Sequence, residues 1–403
     1  MEQQRREPAP ETEVTLREFT EADAEALFAW ASDPRVVLFQ RREAYARVDE
    51  ARRYILDHVL PHPWYRAICL GAVAVGSISV KPCCPAGEEG EGAPRASLGY
   101  RVAHGHWGRG VATRAVRMAA AAAFAEWPGL ARLEAVADVE NPASQRVLEK
   151  AGFVREGVLR RFVVLKGRPR DMVMFSLVDS DRDERAKPKL LLQVKEPFEL
   201  NKEGRRGAMD PDGDARHQQR RRQEEEEGPV VSLRPLGLAD VDDFMAWASD
   251  ERVMRHLKRP MCATREQAVA QIRDTVLGHP WFRAVCVAGR PVGQVSVWPY
   301  PDDGGHRANL GYALAHDHWG RGVASTAIRM VVGRVFEELP GLGRLEAVTD
   351  VGNVRSQRAL EKAGFQREGV LRSYIVRPGA GAGEAGDAAV YSFLSSDPRP
   401  PLA

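Results

Sequence analysis

An internal repeat constrains this 403-residue chain more than any other feature. The stretch HGHWGRGVATRA over 104–115 returns almost unchanged as HDHWGRGVASTA over 316–327. Trp30 recurs 217 residues later and Trp107 recurs 212 residues later, so the first copy carries five extra residues between them. Because each copy is long enough to bury its own core, the repeat predicts tandem domains and excludes a solenoid of short units.

The composition between the copies predicts a linker. We predict a first domain over 12–181, a charged and disordered linker over 182–228, and a second domain over 229–397. The linker contains runs such as RRRQEEEEG and few aromatic residues, so it buries too little apolar surface to offset the entropy lost on ordering. A tether of this kind keeps the two domains at a high effective concentration, which favours contact between them.

The charge balance excludes several classes of partner. With 58 basic and 56 acidic residues, the formal net charge is +2, which predicts neither nucleic-acid nor membrane binding. The chain lacks both an apolar signal-peptide core and a run of roughly 18 apolar residues, so we expect a cytoplasmic protein. The five cysteines form no metal-ligand pattern, so we expect reduced thiols and no metal.

Hydrophobic periodicity predicts the same elements in both copies. In the first copy, helices are predicted over 22–32, 49–60, 110–127 and 141–151. Single strands are predicted over 96–102 and 132–138, and a pair of strands is predicted in each of the ranges 66–80 and 154–178. This alternation predicts an α/β fold: two tandem domains, each with a mixed central sheet flanked by helices.

The repeated turn lies between a strand and a helix, where it can bind an anion. Peptide N–H groups at a helix start have no intrahelical partner, and the helix dipole adds partial positive charge there. Gly108 and Gly110 let the backbone approach a phosphate closely, and Arg109 adds a donor. No GK[ST] sequence follows, and three strands precede the turn, so it is neither a Walker loop nor a dinucleotide-binding turn.

A second repeated stretch begins the next helix. ENPASQRVLEKAGF over 140–153 returns as GNVRSQRALEKAGF over 352–365. By itself, Asn141 is a good helix N-cap and Ser144 an ordinary first-turn residue. The pairing of this stretch with the glycine turn, in the same order in both copies, favours a shared site.

Together, LGYRVAHGHWGRGVATRA and RLEAVADVENPASQRVLEKAGF resemble the GNAT superfamily of acetyl-CoA-dependent N-acetyltransferases. The WGRGxA form and the ENPAS, LEKAGF and REGVLR phrases most resemble its ribosomal-protein N-acetyltransferase type. The resemblance implies transfer of the acetyl group of acetyl-CoA, as cosubstrate, to a primary amine by direct attack. The implied acceptor is a protein N-terminus or a small amine.

The resemblance also implies a cofactor site in each copy. The glycine turn holds the pyrophosphate, and an asparagine touches the pantetheine arm. The implied cofactor-binding residues are Arg109, Gly110, Val111, Ala112, Thr113 and Asn141, and in the second copy Arg321, Gly322, Val323, Ala324, Ser325 and Asn353.

The catalytic acid departs from the pattern of many relatives. The position of their acidic tyrosine is held here by Leu148 and Leu360. Ser144 and Ser356 match the serine that serves the ribosomal-protein type instead. A thiolate leaving group with a pKa of about 8.5 needs only modest help from an acid.

The general base is less well defined. The glutamate expected shortly after the REGVLR phrase falls on Val163 and Ile375, which accept no proton. The candidate bases, acting through water, are the strand residues Glu134 and Glu346 or the histidines before the turn, His104, His106, His316 and His318. A weak base favours an α-amino group with a pKa near 8 over a lysine near 10.4.

Two alternatives to a twin enzyme follow from the missing base. In one, the chain is an acyl-CoA-binding regulatory or scaffold protein in which one or both domains are inactive. In the other, one domain is catalytic and its copy recruits the substrate or mimics a dimer partner.

Overall fold

The computed structural model describes residues 13–83, 95–181, 229–257, 261–301, 304–375 and 385–401. The predicted linker over 182–228 lies outside the described residues, as does most of the first copy's extra loop.

The first copy contains seven strands in its described residues, in the order that the periodicity predicts from the second strand onward. The strands are β1 Val14–Glu18, β2 Tyr65–Leu70, β3 Val73–Pro82, β4 Arg95–Val102, β5 Arg132–Asp138, β6 Val154–Leu165 and β7 Arg168–Val178. The helices are α1 Ala24–Ala31, the single turn α2 Pro34–Val37, α3 Val48–Tyr54, α4 Val111–Glu126 and α5 Pro142–Ala151. A π-helical turn, Ile55–Val59, extends α3.

The second copy repeats this order. Its strands are β8 Val231–Arg234, β9 Phe282–Val287, β10 Arg290–Pro299, β11 Arg307–Leu314, β12 Arg344–Asp350, β13 Gln366–Ile375 and β14 Gly386–Leu394. Its helices are α6 Val241–Ala248, α7 Glu251–Met254, α8 Arg265–Gln271, α9 Val323–Glu338 and α10 Val354–Lys362.

The sequence analysis missed the first strand of each copy. β1 and β8 lie at the two outer edges of the sheet and pair with β2 and β9. Each is only four or five residues long, and its alternation of buried and exposed positions is too short to stand out as a periodic signal.

The strands form one mixed sheet that runs through both copies. Their order is β1-β2-β3-β4-β5-β7-β6-β13-β14-β12-β11-β10-β9-β8. All neighbours are antiparallel except the pairs β4 with β5 and β11 with β12. The predicted α/β fold with two mixed, helix-flanked sheets is therefore confirmed, with the addition that the two sheets are continuous.

Each copy has two cores, one on each face of its sheet. In the first copy, α4 and α5 cover one face and bury Val116, Leu133 and Phe175. On the other face, α1 and α3 bury Leu27 and Ile55. Helices α4 and α5 thereby pack against β4 and β5, while α1 and α3 pack against β2 and β3.

The expected contact between the copies is made by β6 and β13. These strands pair at Gly157 and Gly369, where a Cβ on either glycine would collide with the carbonyl oxygen of Glu368 or Glu156 across the join. Glycine is therefore required at both positions for the backbones to approach. Both glycines belong to the repeated phrase REGVLR.

Buried charges reinforce this join. The Glu156 carboxylate accepts both terminal N–H groups of Arg132 at 2.9 and 2.7 Å, within its own copy. It also accepts the backbone N–H of Arg372 from the second copy at 2.8 Å. Glu368 makes the matching set with Arg344 and the backbone of Arg160. The two copies thus satisfy each other's buried carboxylates across an approximate twofold axis.

Substitution of Glu156 by glutamine tests the importance of this network. Glu156→Gln should lower the free energy of unfolding by about 3 kcal/mol, because the fully buried Arg132 guanidinium loses one of its two carboxylate partners and keeps only Glu134. Glu18→Gln is the matched control, since that carboxylate is 80% exposed and should change stability by less than about 0.5 kcal/mol. Urea unfolding measures both. Equal unfolding midpoints for the two variants would contradict the assigned role.

Candidate functional site

A gap between two parallel strands lies at the centre of each copy. β4 and β5 pair only from Arg95 with Arg132 to Ser97 with Glu134, and then separate. The N–H of Ala103 bonds to Val75 on β3 at 2.7 Å, so the alternating pattern directs the peptide of Val102 away from β3 and toward the gap. The Val102 N–H therefore has no partner among the described strands and lines one side of the opening. β11 and β12 separate in the same way in the second copy.

The repeated turn closes one end of the gap. The Trp107 indole N–H donates to the Val102 carbonyl at 2.7 Å and ties the turn to the end of β4. Trp319 makes the same bond to Leu314 at 2.8 Å. The partly exposed tryptophan side chain thus has a structural role: it fixes where α4 begins relative to the gap.

The first turn of α4 presents free N–H groups. The first helical bond runs from Arg114 to the Gly110 carbonyl at 3.0 Å, so the three preceding N–H groups have no helical partner. Gly108 and Gly110 have φ of 75° and 76°, and a Cβ on either would meet no atom within 4 Å. The glycines therefore serve the backbone conformation and leave open space outside the helix end, as an anion site needs.

The predicted cofactor residues of the turn surround this helix end. The side chains of Arg109 and Arg321 are exposed, whereas those of Val111 and Val323 are buried and anchor the helix. Ala112, Thr113 and Ala324 are partly exposed. Ser325 differs from Thr113, because it is buried and donates its hydroxyl to the Gly322 carbonyl at 2.9 Å.

The second repeated stretch lies at the other strand of the gap. Asn141 precedes α5 and its side-chain oxygen accepts the Ser144 N–H at 3.1 Å. Asn353 and Ser356 make the same bond. Asn141 is therefore the N-cap of α5 and lies three residues beyond the end of β5.

A tyrosine that the sequence analysis did not single out joins the two sides. The Tyr100 hydroxyl lies 2.7 Å from the Ser144 Oγ and 3.1 Å from the Ser144 carbonyl. Tyr312 has the same distances to Ser356. Each tyrosine comes from the strand β4 or β11, so the serine hydroxyl is held from across the gap. The signal was present in the sequence, as the phrase LGY that precedes both turns.

The environment of these tyrosines keeps them protonated. Burial raises the pKa of Tyr100 to about 12, although the hydrogen bond with Ser144 lowers it in part. Burial likewise raises the pKa of Tyr312 to about 12. At neutral pH both hydroxyls can therefore donate a proton to the neighbouring serine. Leu148 and Leu360, at the usual tyrosine position, are fully buried.

The structure places the predicted bases Glu134 and Glu346 at the closed end of the gap. The Glu134 carboxylate accepts the Arg132 Nε–H at 2.9 Å and lies 3.8 Å from Arg95. Glu346 lies beside Arg344 at 3.0 Å and Arg307 at 3.8 Å. Both carboxylates are thus engaged by guanidinium groups next to the join between the copies, and the structure does not bring them to the serines.

The alternative bases lie in the short helical turn between the strand and the glycine turn. His104 is exposed and its ring stacks against Trp107, with centroids 4.8 Å apart. His316 stacks on Trp319 in the same way. Burial, and then the positive charge of Arg321, lowers the pKa of His318, so this imidazole is neutral at pH 7.

The described residues contain neither a metal-binding cluster nor a membrane-spanning helix. No group of three or more His, Cys, Asp or Glu side chains there is arranged to hold a metal ion. No helix within the described ranges is long and apolar enough to cross a membrane.

Comparison with known families identifies the family of the fold. The acetyltransferase (GNAT) domain model matches the chain twice, over residues 13–154 and 231–366. The chain belongs to the GNAT acetyltransferase family. The tandem GNAT organisation predicted from the repeat is confirmed, and the cosubstrate of the family is acetyl-CoA.

Relatives of one-copy length support the duplication. The uncharacterized N-acetyltransferase YoaA of Bacillus subtilis is 30% identical over 178 residues, which are 42% of this chain and 97% of that protein. The probable N-acetyltransferase YjcK of the same organism is 38% identical over 159 residues, 37% of this chain and 87% of that protein. A GNAT-family acetyltransferase structure from Bacillus anthracis matches with a TM-score of 0.37 and 22% identity, covering 42% of this chain and 98% of that one.

A matched pair of substitutions tests whether the turn binds a pyrophosphate. Gly110→Asp and Gly110→Asn have nearly the same shape, both tolerate positive φ, and they differ in charge. Because the aspartate repels the pyrophosphate, it should weaken acetyl-CoA binding to the first copy about tenfold more than asparagine does. Calorimetric titration of acetyl-CoA measures the difference, with Gly322→Asp and Gly322→Asn as the pair for the second copy.

Fold stability does not confound this comparison, because an acidic residue at a helix start stabilises the helix. Equal acetyl-CoA affinities for the aspartate and asparagine variants would show that the turn does not contact the pyrophosphate.

Proposed function

We propose that each copy transfers the acetyl group of acetyl-CoA to a primary amine by direct attack, with a protein N-terminus as the favoured acceptor. The observation that carries this proposal is the gap between β4 and β5, with free helix N–H groups at one end and the Tyr100–Ser144 pair across it. The same arrangement in the second copy extends the proposal to Tyr312 and Ser356.

In the proposed complex, acetyl-CoA lies along the gap, with its pyrophosphate at the glycine turn and its thioester further in. The pyrophosphate lies on the N–H groups at the start of α4, beside Arg109, and the pantetheine arm runs along β4 toward Asn141. The peptide N–H of Val102 then donates to the thioester carbonyl and stabilises the negative charge that develops on its oxygen. In the second copy Arg321, Asn353 and Leu314 have these roles.

The proposed acid is Ser144, supported by Tyr100. The amine nitrogen attacks the carbonyl carbon, the carbon–sulfur bond breaks, and the sulfur takes a proton. The Tyr100 hydroxyl lies within donating distance of both the Ser144 carbonyl and the Ser144 Oγ. When it donates to Oγ, the serine gives its own proton to the sulfur and takes the tyrosine proton in its place, and the tyrosine is then reprotonated from water. A relay of two neutral hydroxyls suffices, because the leaving thiolate has a pKa of only about 8.5.

The attacking amine must also lose a proton. We retain Glu134 and Glu346 as proposed acceptors of that proton through water. Their carboxylates are held by Arg132 and Arg344 and reach the amine only through water, which favours an acceptor amine that is already partly neutral at pH 7. An α-amino group meets this requirement better than a lysine side chain does.

A second candidate function is supported by the same ion pairs. If Glu134 and Glu346 serve only the join between the copies, one or both domains bind acyl-CoA without turnover and the chain acts as a regulatory or scaffold protein. Acetylation of a peptide panel distinguishes the two functions.

The relay predicts graded losses of turnover. In a chain whose second copy is inactivated by Gly322→Asp together with Ser356→Ala, Ser144→Ala should lower kcat about 10- to 100-fold, and Tyr100→Phe should lower it about tenfold. Acetyl-CoA affinity should change little, because the pyrophosphate contacts are untouched. Steady-state acetylation of peptide N-termini gives kcat.

Thr15→Ala is a control, since that residue lies on the outer edge strand β1, away from the gap. An unchanged kcat in both Ser144→Ala and Tyr100→Phe would remove the relay from the mechanism.

A further inference from the structure

The first copy contains an arginine–tyrosine cluster on the face of β4 opposite Ser144. It consists of Gln40, Arg42, Tyr45, Tyr54, Tyr65 and Arg101. The Arg42 guanidinium carbon lies 4.3 Å from the Tyr45 ring centre and 5.1 Å from that of Tyr54. Arg42 Nε and Arg101 both donate to the Gln40 side-chain oxygen, at 3.0 and 3.4 Å. Two cations therefore meet at one neutral amide.

Among the residues that the structure describes, no carboxylate balances this positive charge. Both terminal nitrogens of Arg42 and the Tyr45 hydroxyl are buried without a hydrogen-bond partner. Within the described ranges, neither Arg42 nor Arg101 forms a salt bridge with a carboxylate. Burial, and then the like charge of Arg101, lowers the pKa of Arg42. A buried, unsatisfied guanidinium is costly, so the cluster is incomplete without an acceptor.

The cluster adjoins the place where the proposed reaction occurs. Arg101 lies on β4 between Tyr100, which reaches Ser144, and Val102, whose peptide faces the gap. Successive side chains of a strand point to opposite faces, so Tyr100 and Arg101 flank the gap from its two sides. With the acid on one face, the acceptor amine approaches from the other, beside Arg101.

The second copy lacks the cluster. Tyr45, Tyr54, Tyr65 and Arg101 correspond to Cys262, Gln271, Phe282 and Ala313. Cys262, Phe282 and Ala313 belong to one apolar core cluster there, and Cys262 bonds to Gln271. Arg259, which corresponds to Arg42, lies outside the described residues.

This difference contrasts with the rest of the site. The glycine turn, the asparagine, the serine and the hydroxyl of the gap tyrosine are the same in both copies, with the same serine–tyrosine distance of 2.7 Å. The copies therefore share the cofactor side of the gap and differ on the acceptor side, where Arg101 of the first copy is replaced by Ala313 in the second.

We propose that the first copy selects an acceptor amine that carries a carboxylate close to it, such as an acidic N-terminal residue, and that Arg42 and Arg101 bind that carboxylate. This inference rests on the proposed acetyl transfer. The second copy, with Ala313 in place of Arg101, accepts an uncharged amine. The chain thus joins two acetyltransferase sites of different acceptor class.

The experiment compares the tripeptide amides Asp-Gly-Gly and Asn-Gly-Gly, which have the same amine and differ in one charge. In the full chain with Gly322→Asp and Ser356→Ala together, nearly all turnover comes from the first copy. We expect kcat/KM to be about tenfold higher, or more, for the aspartyl peptide. Arg101→Ala should lower this ratio of kcat/KM values to about one, and Arg101→Lys should restore part of the preference. A purely structural role of Arg101 would not produce this partial recovery. In the chain with Gly110→Asp and Ser144→Ala together, where nearly all turnover comes from the second copy, the ratio should be one or lower.

Binding of the same peptides to the chain saturated with coenzyme A gives a readout that needs no turnover. Tighter binding of the aspartyl peptide, lost in Arg101→Ala, supports the inference even if no acetylation occurs, in which case the proposed function fails alone. Equal kcat/KM and equal binding for the two peptides in the chain with Gly322→Asp and Ser356→Ala would overturn the inference, while acetylation of both would leave the proposed function intact.

Discussion

Two buried carboxylates, Glu156 and Glu368, hold the two copies in one sheet. Each is bound by a guanidinium of its own copy and by a backbone N–H of the other, so neither copy satisfies its buried groups alone. Because an unpaired buried charge is strongly unfavourable, the network favours one relative arrangement of the copies. The close backbone approach at Gly157 and Gly369 depends on the same arrangement. The duplicated chain therefore folds as a single fourteen-stranded sheet across its described residues.

Local sequence patterns predicted most of the fold. β5 has the predicted bounds, and α4 and α5 start and end within one residue of them, because their periodicity is strong and glycines mark their ends. The edge strands β1 and β8 were missed because four or five residues carry little periodic signal. The join between the copies was foreseen only as a contact, because pairing of Gly157 with Gly369 brings together residues more than 200 positions apart.

The cofactor side of the site was predictable for the same reason that the helices were. Free N–H groups follow from a glycine turn before a helix, and Asn141 with Ser144 follows from an N-cap pattern. Tyr100 was missed because it reaches Ser144 from a strand 44 residues away. The residues of the arginine–tyrosine cluster come from α3, the preceding loop and two strands, so no single stretch of sequence predicts the cluster. The cluster is identified by the difference between the two copies at matching positions.

If each copy binds the cofactor, one joined chain has two cofactor sites, and the direct test is to count the cofactor molecules that it binds. Native mass spectrometry of the purified chain, titrated with coenzyme A, gives the number of cofactor molecules bound to each intact polypeptide. We expect saturation at two molecules of coenzyme A per chain. Saturation at one, or no specific adduct at all, would contradict it and would mean that a repeated turn is retained without its ligand.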